Sequence, residues 1–174
     1  MTGTAAADKP REARADRARF RDLRLELEEF HYDYADALER GEVEQWCEFF
    51  TDDAFYCIVA RDNHDSGLPL GLVYCEGKGM LKDRAFALRN TEMYAPRYLN
   101  LQINNVRVHE AEGTTIRAEA NYLLLETLVE EPSRIQQVGK YYDVFERVEG
   151  RLLIAERKCV YDSVVINNCL VFPV

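Results

Sequence analysis

Residues 97–128 read RYLNLQINNVRVHEAEGTTIRAEANYLLLETL, and apolar side chains alternate with polar ones along most of this segment. The first alternating positions are Leu99, Leu101 and Ile103, and Val106 and Val108 follow in the opposite phase. A period of two is typical of a half-buried β-strand, because successive side chains point to opposite faces of a sheet. One extra residue near Asn104 and Asn105 restores the register, so the sequence predicts a β-bulge there.

Three more strands are predicted between this segment and residue 161. A turn at Glu112-Gly113 leads into a strand with one apolar face, made of Ile116, Ala118, Ala120, Tyr122 and Leu124. A hairpin around residues 131–133 leads to a strand over residues 135–148, and Glu149-Gly150 predicts a two-residue turn before a last strand over residues 151–161. Consecutive strands joined by short turns pair antiparallel, and a bulge increases the bend of the sheet, so a curved antiparallel sheet is predicted.

The first part of the chain has helical periodicity instead. From about Pro10 to Gly41, apolar residues recur three and four positions apart, which predicts one long amphipathic helix. Its apolar positions are Phe20, Leu23, Leu27, Phe30, Tyr34 and Leu38. A second, short helix is predicted from the shared face of Val43, Trp46, Cys47 and Phe50, and a third over residues 80–89.

Turns, a loop and short extended segments are predicted between these helices. We expect a turn at residues 51–53, a strand over residues 54–60, a polar loop over residues 61–69, an extended piece over residues 71–75 and a turn bounded by Gly77 and Gly79. Helices that precede a run of antiparallel strands indicate the α+β class. The length of 174 residues fits a single domain with one core.

Composition excludes several functions. The net charge is −9, from 31 acidic and 22 basic residues, so a phosphate backbone or an anionic membrane surface would be repelled on average. No window reaches roughly 18 consecutive apolar residues, which a membrane-spanning helix needs. The first 21 residues are polar and charged and lack the apolar core of a secretion signal, so we expect a cytoplasmic protein with neither nucleic acid nor membrane as a partner.

The cysteines show neither a disulfide framework nor a metal-binding pattern. They are Cys47, Cys57, Cys75, Cys159 and Cys169, an odd number with no two of them closer than ten residues apart. In a reducing compartment they are expected to be small buried apolar side chains.

Several ordered segments resemble one known family. They include 30–34 (FHYDY), 49–53 (FFTDD), 62–64 (DNH), 80–84 (MLKDR), 139–143 (GKYYD) and 156–158 (ERK). In this order and spacing they are similar to the small, or β, subunits of aromatic-ring-hydroxylating dioxygenases. The middle segments are most like the branch that acts on aromatic carboxylates such as terephthalate, anthranilate and salicylate. The resemblance runs from about Phe20 to the end of the chain.

The resemblance implies a fold and a role. The fold would be an NTF2-like cone, in which three N-terminal helices pack on a strongly curved, mainly antiparallel sheet. Residues 20–174 would form this domain, and residues 1–19 a partly disordered extension. The chain would be a structural, non-catalytic subunit that forms an α3β3 complex with a large α subunit. That α subunit would hold a Rieske [2Fe-2S] cluster and a mononuclear Fe(II), with electrons supplied from NADH by a reductase and with O2 as co-substrate.

The chain's own residues lack the ligands for such centres. A Rieske cluster needs two cysteines and two histidines, arranged as Cys-x-His pairs, and no cysteine here has a histidine two residues further on. A mononuclear iron site needs two histidines and a carboxylate on one face, but His31, His64 and His109 are expected on a helix, a loop and a strand end. We therefore predict no cofactor and no metal in this chain.

The alternative to a structural subunit is a free-standing isomerase or dehydratase of the same fold. In that hypothesis His64 acts as a base oriented by Asp62, and Tyr98 donates a hydrogen bond inside the cone. The simpler interpretation is that residues 62–64 form a loop whose polar side chains bond the backbone. An open cavity lined by polar groups would favour the enzyme, and a cone filled by side chains would favour the subunit.

Charged and aromatic residues beyond the first strand are candidates for a subunit interface. They are Asp83, Arg84, Arg89, Tyr94, Arg97 and Phe172. Arginine forks pair well with carboxylates across an interface, although ordinary solvated positions are the default for such charges. Residues 164–174 contain seven apolar side chains, so this tail is expected either to complete the sheet or to pack on a neighbouring subunit.

Overall fold

A computed structural model describes residues 9–91, 93–163 and 170–174, with side chains from Asp16 onward. Its helices are α1 (Lys9–Glu39), α2 (Val43–Trp46), α3 (Arg61–Asp65) and α4 (Gly77–Asn90), and a 3₁₀ turn (Cys47–Phe49) follows α2. Its strands are β1 (Phe50–Ala60), β2 (Val73–Glu76), β3 (Arg97–Glu112), β4 (Thr115–Leu128), β5 (Arg134–Val148) and β6 (Arg151–Tyr161). The predicted α+β class is confirmed.

The described strands form one curved six-stranded sheet in the order β2-β1-β6-β5-β4-β3. β1 and β6 run parallel, and the other neighbours are antiparallel, as predicted for a mainly antiparallel sheet. The parallel pair arises because β1, which follows the first two helices in the chain, lies beside β6, the last strand of the hairpin series. This closure places β1 next to residues about a hundred positions away in the sequence.

Two turn predictions are confirmed in detail. Pairing of β3 with β4 shifts between Asn104 and Arg107, and Asn105 has a φ of +55°, which locates the predicted bulge. At the β5–β6 hairpin both Glu149 and Gly150 have positive φ, 52° and 83°. Two positive φ values in a two-residue loop match the right-handed twist of the flanking strands, so the hairpin closes without splaying them.

The core lies between the helices and the inner face of the sheet. All five residues that form the predicted apolar face of β4, from Ile116 to Leu124, are buried. The stripe of α1 supplies Leu27, Tyr34 and Leu38, which are also buried. The apolar faces that repeat every two residues on the strands and about every 3.6 residues on the helix therefore pack together in a single core.

The polar loop predicted over residues 61–69 is wrong in its first part. Residues 61–65 form the one-turn helix α3, in which the Ser66 N–H donates to the Asp62 carbonyl oxygen at 3.1 Å. Asp62 also accepts the Asn63 N–H through its carboxylate. Four helices are therefore present in the described chain rather than three, because a single turn closed by polar side chains leaves no apolar periodicity to detect.

Two predicted boundaries also differ. α4 begins at Gly77, so Gly77 and Gly79 lie within the helix and not in a turn before it. Gly77 has a φ of +79°, which lets the chain leave β2 and enter the helix directly. β1 begins at Phe50, so the turn expected at residues 51–53 is an irregularity inside the strand, where pairing with β6 shifts between Phe50 and Phe55.

The two ends of the described chain are the start of α1 and the last residues of the apolar tail. α1 starts at Lys9, so the division between residues 1–19 and 20–174 falls within one continuous helix, while residues 1–8 lie outside the described residues. Residues 164–169 of the apolar tail also lie outside them. Residues 170–174 neither extend the sheet nor remain on the surface: Val171 and Val174 are buried in the chain's own core.

Candidate functional site

The inner face of the sheet carries a buried ion pair. The Arg157 guanidinium on β6 donates from Nε and Nη2 to the two carboxylate oxygens of Asp143 on β5, at 2.9 and 2.7 Å. Neither side chain is more than 1% exposed. These residues face each other across the antiparallel β5–β6 pair, so the sheet register itself aligns the fork with the carboxylate.

Aromatic rings hold the Arg157 guanidinium from both sides. Its central carbon lies 4.3 Å from the ring centroid of Tyr34 and 4.2 Å from that of Tyr141. His31 of α1 is 1% exposed, and its Nδ1 lies 3.4 Å from Arg157 Nη2. The site where an isomerase of this fold would need open space is therefore filled by a cation, its counter-ion and three rings.

Burial and charge set the protonation states in this cluster. Burial disfavours the imidazolium, and the Arg157 charge adds to this, so the pKa of His31 lies well below its ordinary value. Burial alone would lower the pKa of Arg157, but the Asp143 carboxylate holds that pKa above its ordinary value. The cluster thus contains a neutral imidazole beside a permanently charged guanidinium.

The depressed pKa of His31 predicts an acid-sensitive fold. Above about pH 6.5 the imidazole is neutral in both states and contributes nothing, whereas below it only the unfolded chain takes up the proton. The free energy of unfolding is therefore expected to fall by up to about 1.4 kcal/mol per pH unit as the pH drops below about 6.5. Urea unfolding at pH 5.5–7.5 measures this slope.

Two variants isolate the effect of His31. H31Q removes the titrating group, so the slope between pH 6.5 and 5.5 is expected to disappear. H109Q is the matched control, because His109 is about half exposed and pairs with Glu119 on the sheet edge. An unchanged slope in H31Q would show that another group causes the acid sensitivity.

Sequence reasoning missed this cluster, although one signal was available. In β5 the inward positions Tyr141 and Phe145 are apolar, and Asp143 lies between them in the same phase. A charged residue in the apolar phase of a central strand requires a buried counter-ion. The register of β5 with β6 was needed to name Arg157 as that partner.

A second buried polar cluster surrounds the end of the described chain. The Tyr34 and Tyr56 hydroxyls both donate to the main-chain oxygen of Val174, at 2.8 and 3.1 Å. The Trp46 indole N–H donates to the Tyr34 hydroxyl at 2.9 Å, and the Val174 N–H donates to the Tyr56 hydroxyl at 3.1 Å. Tyr34 of α1 and Tyr56 of β1 thus converge on one oxygen atom, and Trp46 of α2 holds the Tyr34 hydroxyl.

The structure does not bring together the residues of the alternative enzyme hypothesis. His64 lies on α3, where its ring stacks on Tyr142 at 5.1 Å and its Nδ1 lies 3.2 Å from Asp65. The Asp62 carboxylate bonds the Asn63 backbone. Tyr98 is 72% exposed on β3, and β6, β5 and β4 separate that strand from β1, which leads into α3.

A cavity does lie beside His64, but on the outer face of the sheet. It has a volume of about 340 Å³ and is bounded by outward-facing residues of β1 and by the segment after α3, including Phe55, Cys57, Leu68 and Tyr74. Leu68, which lines this cavity, is 54% exposed, and Leu70 and Leu72 of the same segment are 73% and 49% exposed. We call these three leucines with Tyr74 the loop surface.

The six interface candidates separate into exposed and inward-facing side chains. Asp83 and Arg89 are exposed on α4, and Tyr94 is exposed beyond its end. Arg84 instead points inward and donates to the Val171 carbonyl oxygen at 3.1 Å. Arg97 has a side chain only 4% exposed and donates to Glu126 at 2.6 Å.

Phe172 belongs to the same region as these candidates. Its ring meets Tyr94 edge to face at 5.4 Å, and Arg97 lies 5.6 Å from the centroid of the Tyr94 ring. Two residues that the sequence did not single out, Phe86 on α4 and Met93 beside Tyr94 in the chain, are 62% and 99% exposed. We call the exposed set Asp83, Phe86, Arg89, Met93 and Tyr94 the α4 surface.

The donor set does not fit an iron centre in the part of the chain that the structure describes. No group of three or more His, Cys, Asp or Glu side chains there is placed to hold a metal ion. His31 is in the core, His64 on α3 and His109 on β3. The buried cysteines Cys47, Cys57, Cys75 and Cys159 are free thiols dispersed over β1, β2, β6 and the 3₁₀ turn.

Comparison with known proteins identifies the family. The model of the family described as "Ring hydroxylating beta subunit" matches residues 34–168. The chain is a member of this family. The predicted resemblance is thereby confirmed, and membership makes the chain the small component of an oxidoreductase rather than its catalytic subunit.

Individual relatives agree with the family match. The anthranilate 1,2-dioxygenase small subunit of Burkholderia cepacia is 31% identical over 81% of this chain and 88% of its own length. A β subunit of the terephthalate 1,2-dioxygenase terminal oxygenase of a Comamonas species is 30% identical over 86% and 97%. A structure from Novosphingobium aromaticivorans, assigned as the β subunit of an aromatic-ring-hydroxylating dioxygenase, matches with a TM-score of 0.80 and 33% identity over 87% and 96%.

More distant structures show the fold alone. A protein from Novosphingobium aromaticivorans assigned as a scytalone dehydratase superposes with a TM-score of 0.61 at 17% identity. Such neighbours share the fold of helices packed on a curved sheet, but at this identity they carry no activity over to the β subunit. Among the residues that the structure describes, no helix combines the length and apolarity needed to span a bilayer.

Proposed function

We propose that this β subunit is a structural component of an oxygenase that adds O2 to a carboxylate-bearing aromatic ring. Its relatives of about 30% identity belong to anthranilate and terephthalate dioxygenases, which supports that substrate class. The observation that carries the structural role is the filled interior, where Arg157, Asp143 and three rings occupy the inner face. The chemistry takes place in the large α subunit.

The proposed assembly is α3β3, with a Rieske [2Fe-2S] cluster and a mononuclear Fe(II) in each α subunit. The chain's own His and Cys donors do not fit either centre in the residues described, which supports their location in the partner. Electrons come from NADH through a reductase, which fits a cytoplasmic complex. A net charge of −9 supports protein partners over nucleic acid.

Two exposed surfaces with apolar side chains are available to contact two different subunits in this assembly. The α4 surface combines the exposed rings of Phe86 and Tyr94 with Met93 and the charges of Asp83 and Arg89, a mixture typical of a specific protein contact. We assign it to the α subunit. We assign the loop surface to the neighbouring β subunit, where in a ring of three it would meet a different patch of the next copy.

In this proposal Arg84, Arg97 and Phe172 support the α4 surface from behind. Arg84 ties α4 to the segment at Val171, and Phe172 packs against Tyr94. Arg97 is fixed by Glu126, whose other carboxylate oxygen accepts from Arg134 at 3.1 Å. These contacts hold the exposed side chains in place before the partner binds, which lowers the entropy cost of association.

Native mass spectrometry of the chain co-expressed with its Rieske-type large subunit tests the assembly. We expect a complex with three copies of each subunit, and L70E in the loop surface is expected to release smaller species that retain one α with one β. Recovery of the unmodified chain only as a species free of α would contradict the proposal.

A further inference from the structure

The cavity on the outer face of the sheet has an apolar floor and aromatic walls. Its volume is about 340 Å³, and Phe55, Cys57 and Val59, which alternate along β1, all line it. Cys57 and Val59 are almost completely buried and form the floor. Tyr74 of β2 meets Phe55 edge to face at 5.1 Å between centroids, so two aromatic rings stand beside this floor. An open space of this size with such a lining is typical of a small-molecule site.

The segment that covers the cavity is attached to the rest of the chain at both of its ends. After α3 the Leu68 N–H donates to the Asn63 carbonyl oxygen at 2.8 Å, and the Asn63 side-chain amide donates to the Leu70 carbonyl oxygen at 2.9 Å. At the β2 end the Leu72 N–H donates to the Ile58 carbonyl oxygen at 2.7 Å. The cavity is therefore formed without a ligand, which lowers the entropy cost of binding one.

One cation and no acidic side chain line the cavity among the described residues, apart from the His64 imidazole. The cation is Lys158 of β6, the register partner of Cys57. Its ammonium pairs with Glu156, which does not line the cavity, and an ammonium has three N–H donors, so donors remain for a second acceptor. Burial raises the pKa of the Cys57 thiol to about 11, so the floor has no negative charge near pH 7. The lining thus suits an aromatic body that carries one anionic group.

We infer that this cavity binds a small aromatic carboxylate. The ring of the ligand lies over the apolar floor, beside the rings of Phe55 and Tyr74. Its carboxylate accepts hydrogen bonds from the Lys158 ammonium. This is also the chemical class of the substrate proposed for the complex, but the assignment depends only on side chains of this one chain and not on the proposed function.

Fluorine NMR titration of the isolated chain with 4-fluorobenzoate tests the site. For a ligand of this size in an open cavity, we expect saturable binding with a dissociation constant on the order of 1 mM. 4-Fluorobenzamide has the same shape but no charge, and is expected to bind about two- to fivefold more weakly, which is the effect of a partly exposed ion pair. Cyclohexanecarboxylate keeps the charge without the aromatic ring, and is expected to displace the probe less well than benzoate does.

Variants locate the binding and identify the role of the ammonium. K158M is expected to abolish the preference for 4-fluorobenzoate over 4-fluorobenzamide and to leave the affinity for the amide unchanged. K82M is the matched control, because Lys82 is also partly exposed and paired with a glutamate but lies on α4, away from the cavity. V59F fills the space above the floor with a ring of the protein itself, and is expected to abolish binding of both probes.

Any of three results would overturn the inference. They are the absence of saturable binding of 4-fluorobenzoate by the folded, unaltered chain, a K158M variant that keeps the preference for the carboxylate, and a folded V59F variant that binds as well as the unaltered chain. Because the Lys158 side chain is 39% exposed, K158M is expected to fold, and its result decides the matter if V59F does not. None of these results bears on assembly with the α subunit, which native mass spectrometry measures separately.

Discussion

R157M is expected to lower the free energy of unfolding by about 3–5 kcal/mol, because it leaves the Asp143 carboxylate buried without a counter-ion. The Asp143 side chain is 1% exposed, and its two carboxylate oxygens accept hydrogen bonds from Arg157 Nε and Nη2. The guanidinium also fills the space between Tyr34 and Tyr141, and methionine replaces only part of that volume. Urea unfolding at a fixed protein concentration, at pH 7, measures the loss.

The double variant R157M/D143L separates charge from packing. If the loss comes mainly from an unpaired carboxylate, removing that carboxylate as well is expected to restore most of the stability. D143L alone leaves the guanidinium unpaired and is expected to be as damaging as R157M. A double variant no more stable than either single variant would show that Arg157 acts through its packing with the rings rather than through the ion pair.

F86E is expected to prevent association with the α subunit without unfolding the β subunit. Phe86 is 62% exposed on α4, so a carboxylate there is fully hydrated in the free chain. In the complex the same carboxylate would have to enter an apolar contact, and truncating or charging a central aromatic at an interface costs about 2–4 kcal/mol. This corresponds to a loss of affinity of about thirtyfold to a thousandfold.

Competition pull-down with tagged α subunit measures this loss. L25E is the matched control: Leu25 is 50% exposed on α1, so the same change of chemistry is made away from the α4 surface. We expect L25E to compete as well as the unaltered chain. If F86E and L25E compete equally well for the α subunit, the α contact lies on another part of the molecule.

Local patterns in the sequence predicted the parts of the fold that depend on neighbouring residues. The alternation of β4, the change of phase at Asn105 and the Glu149-Gly150 turn each follow from a few consecutive positions. α3 and the start of α4 were not predicted correctly, because a single polar turn and a glycine-led helix have no apolar period.

The interior chemistry depends on contacts between distant residues and could not be predicted in the same way. Arg157 and Asp143 are fourteen positions apart but meet only through strand register. The Tyr34 hydroxyl reaches an oxygen 140 positions away. Among the interface candidates, Asp83 and Arg89 are exposed on the surface. Arg97 was also expected on a surface, but its side chain is buried in an ion pair with Glu126. Only the sheet shows that Glu126 faces inward.

Oxygen uptake with an aromatic carboxylate, NADH and the reductase tests most directly whether the β subunit supports catalysis without performing it. The isolated β subunit is expected to consume no oxygen above background, and the complex with the α subunit to couple uptake to product. H31Q or R157M, assembled into a folded complex, is expected to change stability but not the rate per iron. Turnover by the β subunit alone, lost on changing one of these interior side chains, would contradict the account.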